Sequence, residues 1–152
     1  MRITVKGAVL IADILLCTIC ASAQQPGKIF RIGYLDPSTA SGSAVLLGAF
    51  RQEMSRLGWI ERKNFTIEYR FGDQELERMP ELAADLVRLK VDLIVVTGGP
   101  PALAAKKATS TIPIVITTSA DPVSQGLVAN LARPEGNVTG LSSLGTELNT
   151  KG

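Results

Sequence analysis

The chain has 152 residues, 45% of them hydrophobic, and a formal charge of +2; that is enough for one domain with a sizeable core, but it gives no basic stripe of the kind that binds nucleic acid. It contains no histidine, which removes the commonest general base and the commonest metal ligand, so a hydrolytic triad or a zinc site is disfavoured and neither a metal nor a cofactor is expected.

Met1–Ala23 has the form of an export signal peptide and is set aside from the fold. Arg2 and Lys6 make a positive start, Gly7 to Ala21 is almost wholly apolar, and Ala21-Ser22-Ala23 is a small-x-small cleavage site. Asp13 is unusual inside such a run, where a carboxylate opposes partition by about 2.5–3.5 kcal/mol. Both cysteines, Cys17 and Cys20, lie in this segment, and the residues before them, Leu16 and Ile19, do not suit a lipoprotein signal. Cleavage after Ala23 leaves residues 24–152 without a cysteine, hence with no disulfide and no thiolate chemistry. No later apolar run reaches the roughly 20 residues of a membrane span, so a soluble mature lobe is expected.

Residues 29–35, Ile-Phe-Arg-Ile-Gly-Tyr-Leu, form a short apolar run closed by Asp36-Pro37-Ser38, as expected of a central strand ending in a turn. Leu46, Phe50, Met54 and Leu57 follow at helical spacing, with Gly58 as the stop, which predicts a helix from about Ser43 to Leu57. Glu61, Arg62 and Lys63 make a charged, solvated connector. Residues 65–71 alternate apolar and polar side chains and predict an edge strand. Helical periodicity resumes over 75–90, with Pro80 at a break or first turn. The β-branched run 91–97 belongs to the sheet centre. Gly98-Gly99-Pro100-Pro101 leads into a helix over 102–108, and a fourth strand covers 112–118. Asp121-Pro122 opens a helix whose buried stripe is Leu127, Val128 and Leu131, and 137–141 starts a fifth strand.

This alternation, with connections fit only for crossovers, predicts an α/β lobe: an open, doubly wound, mostly parallel sheet in the flavodoxin-like order 2-1-3-4-5, with helices on both faces. Ligands of such sheets bind beyond the carboxyl ends of the strands, near the point where strand order switches. Three loops are nominated: 36–42, 97–100 and 119–122. Each precedes a helix, so backbone N–H groups can face a carboxylate or similar small anion. The same serines, threonines and glycines also serve as ordinary caps and turn residues. Dinucleotide and P-loop readings fail, because neither G-x-G-x-x-G after the first strand nor G-x-x-x-x-G-K-[ST] occurs. A phospho-receiver would need an aspartate where Thr97 stands. Asn64-Phe65-Thr66 and Asn137-Val138-Thr139 match the glycosylation triplet but fall at strand starts and read as chance. Trp59 is expected to pack on the edge of the lobe.

Taken together, Phe30 to Leu35, Leu57-Gly58-Trp59, Tyr69-Arg70, Pro80 to Val87, Ile112 to Val115, Asp121-Pro122-Val123, Leu131 to Pro134 and Gly136 to Gly140 resemble the ABC transporter substrate-binding proteins of the tryptophan/aromatic-amino-acid type, a periplasmic-binding-protein type I group. The resemblance runs from about residue 29 to 148. It implies a periplasmic two-lobed protein that closes on an amino acid or similar small solute and hands it to a membrane permease, with no enzymatic step. It also implies first-lobe contacts from Pro37, Ser38 and Thr39, from Thr97, Gly98 and Gly99, and from Ser119, Ala120 and Asp121. Such relatives continue into a second lobe, whereas this sequence stops at Gly152, so residues 24–152 are expected to be an N-terminal lobe with the second lobe absent, weak or inactive in binding alone. A sensory or regulatory ligand-binding lobe of the same fold is the alternative.

Overall fold

Five short runs rich in β-branched and aromatic residues pair side by side, all in one direction. The computed structural model describes residues 28–119, 122–128 and 136–141. Its strands are β1 (Phe30–Asp36), β2 (Phe65–Phe71), β3 (Leu93–Val96), β4 (Ile114–Ile116) and β5 (Val138–Gly140), in the order β2-β1-β3-β4-β5 with every pairing parallel. The predicted order and the predicted edge position of β2 are both present. Ile32 is the register point, opposite Ile67 of β2 and Leu93 of β3.

Among the described residues three helices connect these strands: α1 (Ala44–Arg56), α2 (Met79–Arg88, entered through a 3-10 turn at Leu76–Arg78) and α3 (Gly99–Ala108). Because side chains alternate along a strand, the two sheet faces carry separate cores. On one face Leu35, Ile94, Val96, Ile114 and Ile116 pack under α2 and α3. On the other, Ile32, Tyr34, Phe65, Ile67 and Val95 pack with Leu47 of α1. Pro80 sits in the first turn of α2, and Pro100 and Pro101 in that of α3, where a missing N–H costs nothing. The third helix therefore begins three residues earlier than its alanine run suggested.

Two local readings change. The buried line of α1 runs through Leu47, with Phe50 and Met54 half-buried, while Leu46 and Leu57 are exposed. The sheet meets the arc of the helix centred on Leu47, Phe50 and Met54; Leu46 lies at its margin, and Leu57, the C-cap, turns away. Residues 122–128 form successive turns instead of helix, closed by N–H groups of Leu127 and Val128 onto the Pro122 carbonyl at 2.9 and 3.3 Å. Leu127 and Val128 are nevertheless buried as expected; Leu131 and the rest of that predicted helix lie outside the described residues.

Both glycosylation-like asparagines are used internally. Asn64 accepts from the Ile60 N–H at 2.7 Å and donates to the Gly58 carbonyl at 2.9 Å, and Asn137 donates to the carbonyls of Thr109 and Ile112 at 3.0 and 2.7 Å. Gly33 in the middle of β1 lets α2 pack closely on the sheet: a Cβ there would stand 2.9 Å from Leu86 Cδ1. Gly33→Val should overpack this contact and lower stability by about 1–3 kcal/mol, read as a reduced urea midpoint at unchanged slope.

Candidate ligand-binding site

The carboxyl ends of β1, β3 and β4 and the N-termini of α1 and α3 share one end of the sheet, since every strand is parallel and every helix returns antiparallel to it. The hub of this end is Asp36, the last residue of β1, only 2% exposed. Its Oδ2 accepts from the Tyr34 hydroxyl at 2.9 Å and the Ser43 hydroxyl at 2.8 Å, and its Oδ1 accepts from the Ser38 N–H at 2.8 Å. A carboxylate only accepts, so the proton directions follow. The Ser43 hydroxyl is committed to Asp36, so Ser38 Oγ donates to Ser43 Oγ at 2.6 Å. Tyr34 is likewise committed, so Thr97 Oγ1 donates to Tyr34 at 3.3 Å. Four hydroxyls, one from β1 and three from two loops, thus lead directly or in relay to one carboxylate.

Burial pushes the Asp36 carboxyl up, but the hydrogen bonds from Ser38, Ser43 and Tyr34 outweigh it and hold the group below its ordinary value. Tyr34 moves the other way: burial raises it, the Thr97 hydrogen bond opposes this, and the Asp36 charge raises it further. Tyr69, beside Arg51 and Glu61, is also raised, by burial first and then by Glu61, against Arg51.

Each loop is built by local chemistry. In the first, Thr39 Oγ1 accepts from the Gly42 N–H at 3.1 Å, and the Thr39 carbonyl accepts from the Ser43 N–H at 3.0 Å. Ser43 stands at the N-cap of α1 without capping it, because its hydroxyl is drawn to Asp36. In the second loop Gly98, at φ +90°, makes the turn that a side chain would strain, and Pro100 and Pro101 leave Gly98 and Gly99 as the N–H donors at that helix end. In the third, the Ser119 hydroxyl donates to Gln125 Oε1 at 3.3 Å, and the Gln125 side chain lies against Gly99, where any Cβ would collide with it. Thr117 Oγ1 donates to the Val96 carbonyl at 3.3 Å.

The structure therefore brings Pro37, Ser38, Thr39, Thr97, Gly98, Gly99 and Ser119 to one end of the sheet; Ala120 and Asp121 lie outside the described residues. The sequence nominated the loop that begins at Asp36 but not the carboxylate as its hub, and it did not single out Tyr34, Ser43 or Gln125 as the groups that organise this end. The signal for two of them was present, because Tyr34 and Asp36 are two apart on a strand and must share a face. Among the described residues no cluster of acidic side chains is arranged to hold a metal ion.

The model of the family described as ABC transporter substrate binding protein matches residues 45–150. The chain belongs to that family. A tyrosine-binding protein of Clostridioides difficile is 36% identical over 93 residues, which is 61% of this chain and 27% of the relative. A ligand-free, open substrate-binding protein with adhesive properties from Clostridium difficile superposes with a TM-score of 0.70 at 30% identity, over 75% of this chain and 39% of that one. A conserved domain protein from Vibrio cholerae gives 0.71 at 30% identity, over 77% and 40%. A Streptococcus pneumoniae protein solved with L-Trp gives 0.69 at 23% identity, a likeness of fold. The chain spans about a quarter of the curated relative's length and about two fifths of the solved structures.

Asp36→Ala should strand the Tyr34 and Ser43 hydroxyls and the Ser38 N–H, costing about 2–4 kcal/mol by chemical denaturation. Because the folded carboxyl lies below its unfolded value near 3.9, its contribution is present above about pH 4 and is lost as pH falls through the folded value. That part of the acid sensitivity should vanish in the variant. The chain has two tyrosines, both raised, so absorbance titration should show neither ionising at the ordinary pH near 10. The stabilisation tied to the two neutral phenols is complete below that pH and is lost as pH rises through their folded values.

Proposed function

We propose that this chain forms the first lobe of the solute-binding component of an ABC importer, exported by residues 1–23 to the periplasm, and that it takes an amino acid in the loops at the carboxyl ends of its strands. The observation that carries the reading is the Asp36 hub lying between two helix N-termini. A buried carboxylate below the crevice favours an α-ammonium, and the positive ends of α1 and α3 favour a carboxylate, so the arrangement is complementary to a zwitterion. Membership of a substrate-binding family supports the same class of ligand, and the name of the 36% identical relative points to tyrosine as the first candidate.

In this reading no residue performs chemistry on the solute. Ser38, Thr39 and Thr97 offer hydroxyls, Gly98 and Gly99 offer N–H groups at close approach, and Ser119 borders the far side. The relatives' greater length supports a clamshell in which a second lobe supplies the other wall and a permease receives the solute. A single lobe leaves one ligand face in water and forgoes much of the burial that drives affinity.

The test is two-dimensional NMR of the 152-residue chain titrated with L-tyrosine, then with other amino acids. Expected are amide shifts confined to 37–43, 97–100 and 117–121 that do not saturate below millimolar concentration. Shifts elsewhere, or none, would remove the assignment of the site. A micromolar dissociation constant would instead refute the half-cleft reading. In Asp36→Asn the shifts caused by tyrosine should weaken severalfold more than those caused by its 2-hydroxy-acid analogue, which lacks the ammonium group.

A further inference from the structure

The end of the sheet opposite the candidate site carries a surface that ligand binding does not use. There Phe30 opens β1, and its ring meets that of Trp59 edge-on at 5.7 Å. Both stay accessible, Phe30 at 43% and Trp59 at 37%, and the adjoining Ile60 is 45% exposed. The buried Phe65 ring braces Trp59 from below at 6.5 Å.

The α1–β2 loop that presents Trp59 and Ile60 is held by its own hydrogen bonds. Gly58, at φ +86°, ends α1, while the Trp59 N–H donates to the Met54 carbonyl at 2.8 Å and the Gly58 N–H to that of Ser55 at 3.0 Å. This is the glycine-ended helix terminus in which the residue after the glycine packs back on the last turn. Asn64 then staples the loop through Ile60 and Gly58. An apolar trio exposed on a loose loop could fold inward; this one is held outward.

Cations surround it. Lys28 lies over the Phe30 ring at 5.1 Å and is paired with Asp92, and Glu61 is paired with Arg51 at 3.0 Å. The acids at this end are thus neutralised, whereas Arg62 and Lys63, beside Ile60 on the same loop, have no ion-pair partner among the described residues. Aromatic rings flanked by lysine and arginine match the chemistry of the bilayer interface, where amphipathic rings settle at the headgroups and cations meet lipid phosphate.

We propose that this end of the lobe is a peripheral membrane-contact surface, with Phe30, Trp59 and Ile60 at the headgroup level of an anionic bilayer and Arg62 and Lys63 against its phosphates. Docked in this way, the lobe turns its candidate ligand site away from the bilayer that it touches.

Trp59 is the only tryptophan, so its emission reports on this surface alone. The full 152-residue chain is mixed with vesicles of phosphatidylcholine, with and without phosphatidylglycerol. Expected is a blue shift of Trp59 emission with the anionic vesicles, quenched by brominated lipid and reversed by high salt. The pair Arg62→Glu and Lys63→Glu, both at exposed positions, should lower partition to anionic vesicles by at least about tenfold. A second variant, Ile60→Ser, should weaken it without changing the salt dependence, with circular dichroism checking the fold of each. If the chain binds vesicles while Trp59 stays unshifted, the apolar N-terminus alone is responsible and the proposal fails. It fails equally if the shift appears without lipid as protein concentration rises, which would make the surface a contact between copies of the chain.

Discussion

One buried carboxylate organises the end of the sheet where the strands give way to their helices. Asp36 has almost no solvent contact, yet it stays on the acidic side of its ordinary range because three donors converge on it. A buried charge left with a single partner would cost several kcal/mol; saturated in this way, it becomes the fixed point for two loops. Through Ser38 and Ser43 it sets the bend into α1, and through Tyr34 it reaches Thr97 at the start of the α3 turn. The hydroxyls nominated from the sequence as direct ligand contacts are therefore first of all members of a scaffold. The Ser38 and Thr97 hydroxyls point inward to Asp36 through Ser43 and Tyr34, while those of Thr39 and Ser119 are held within their own loops.

The parallel direction of every strand divides the molecule into two chemically distinct ends. Helices returning from a parallel sheet begin where the strands end, so positive helix termini collect at the Asp36 end. The helix carboxyl termini collect at the other, where α1, α2 and α3 end with Arg56, Arg88, Lys106 and Lys107 in their last turns. That end also carries Arg62, Lys63 and the exposed Phe30–Trp59 pair. One end carries the buried carboxylate and the helix N-termini, the other the cations and the exposed rings. Both follow from one topological choice.

The chain is a member of the substrate-binding family and spans about two fifths of the solved structures it resembles. The loops at the Asp36 end are anchored internally: Asp36 under the first loop, the glycine turn at Gly98, and Gln125 wedged between Ser119 and Gly99. Such preformed surfaces lose little further freedom when a ligand arrives, which lowers the ordering cost of binding.

Much of this was legible in the residues. The strand order, the edge position of β2, the central place of β3 and the gathering of three loops at one end all follow from hydrophobic periodicity, which is local and survives short-range noise. The packing line of α1 was not legible, since Leu46 and Leu47 are both apolar and only the sheet's surface decides which one it covers. Nor was the form of residues 122–128, where Leu127 and Val128 are buried in turns that satisfy their backbone without a helix. Composition and pattern alone determined that this is a parallel α/β fold without histidine, and that both cysteines, Cys17 and Cys20, fall in the N-terminal apolar run. Only the tertiary structure decided that Tyr34, Ser38, Ser43 and Thr97 answer to Asp36, because partners as many as 63 residues apart in sequence are chosen by strand register and loop geometry, which no local pattern encodes.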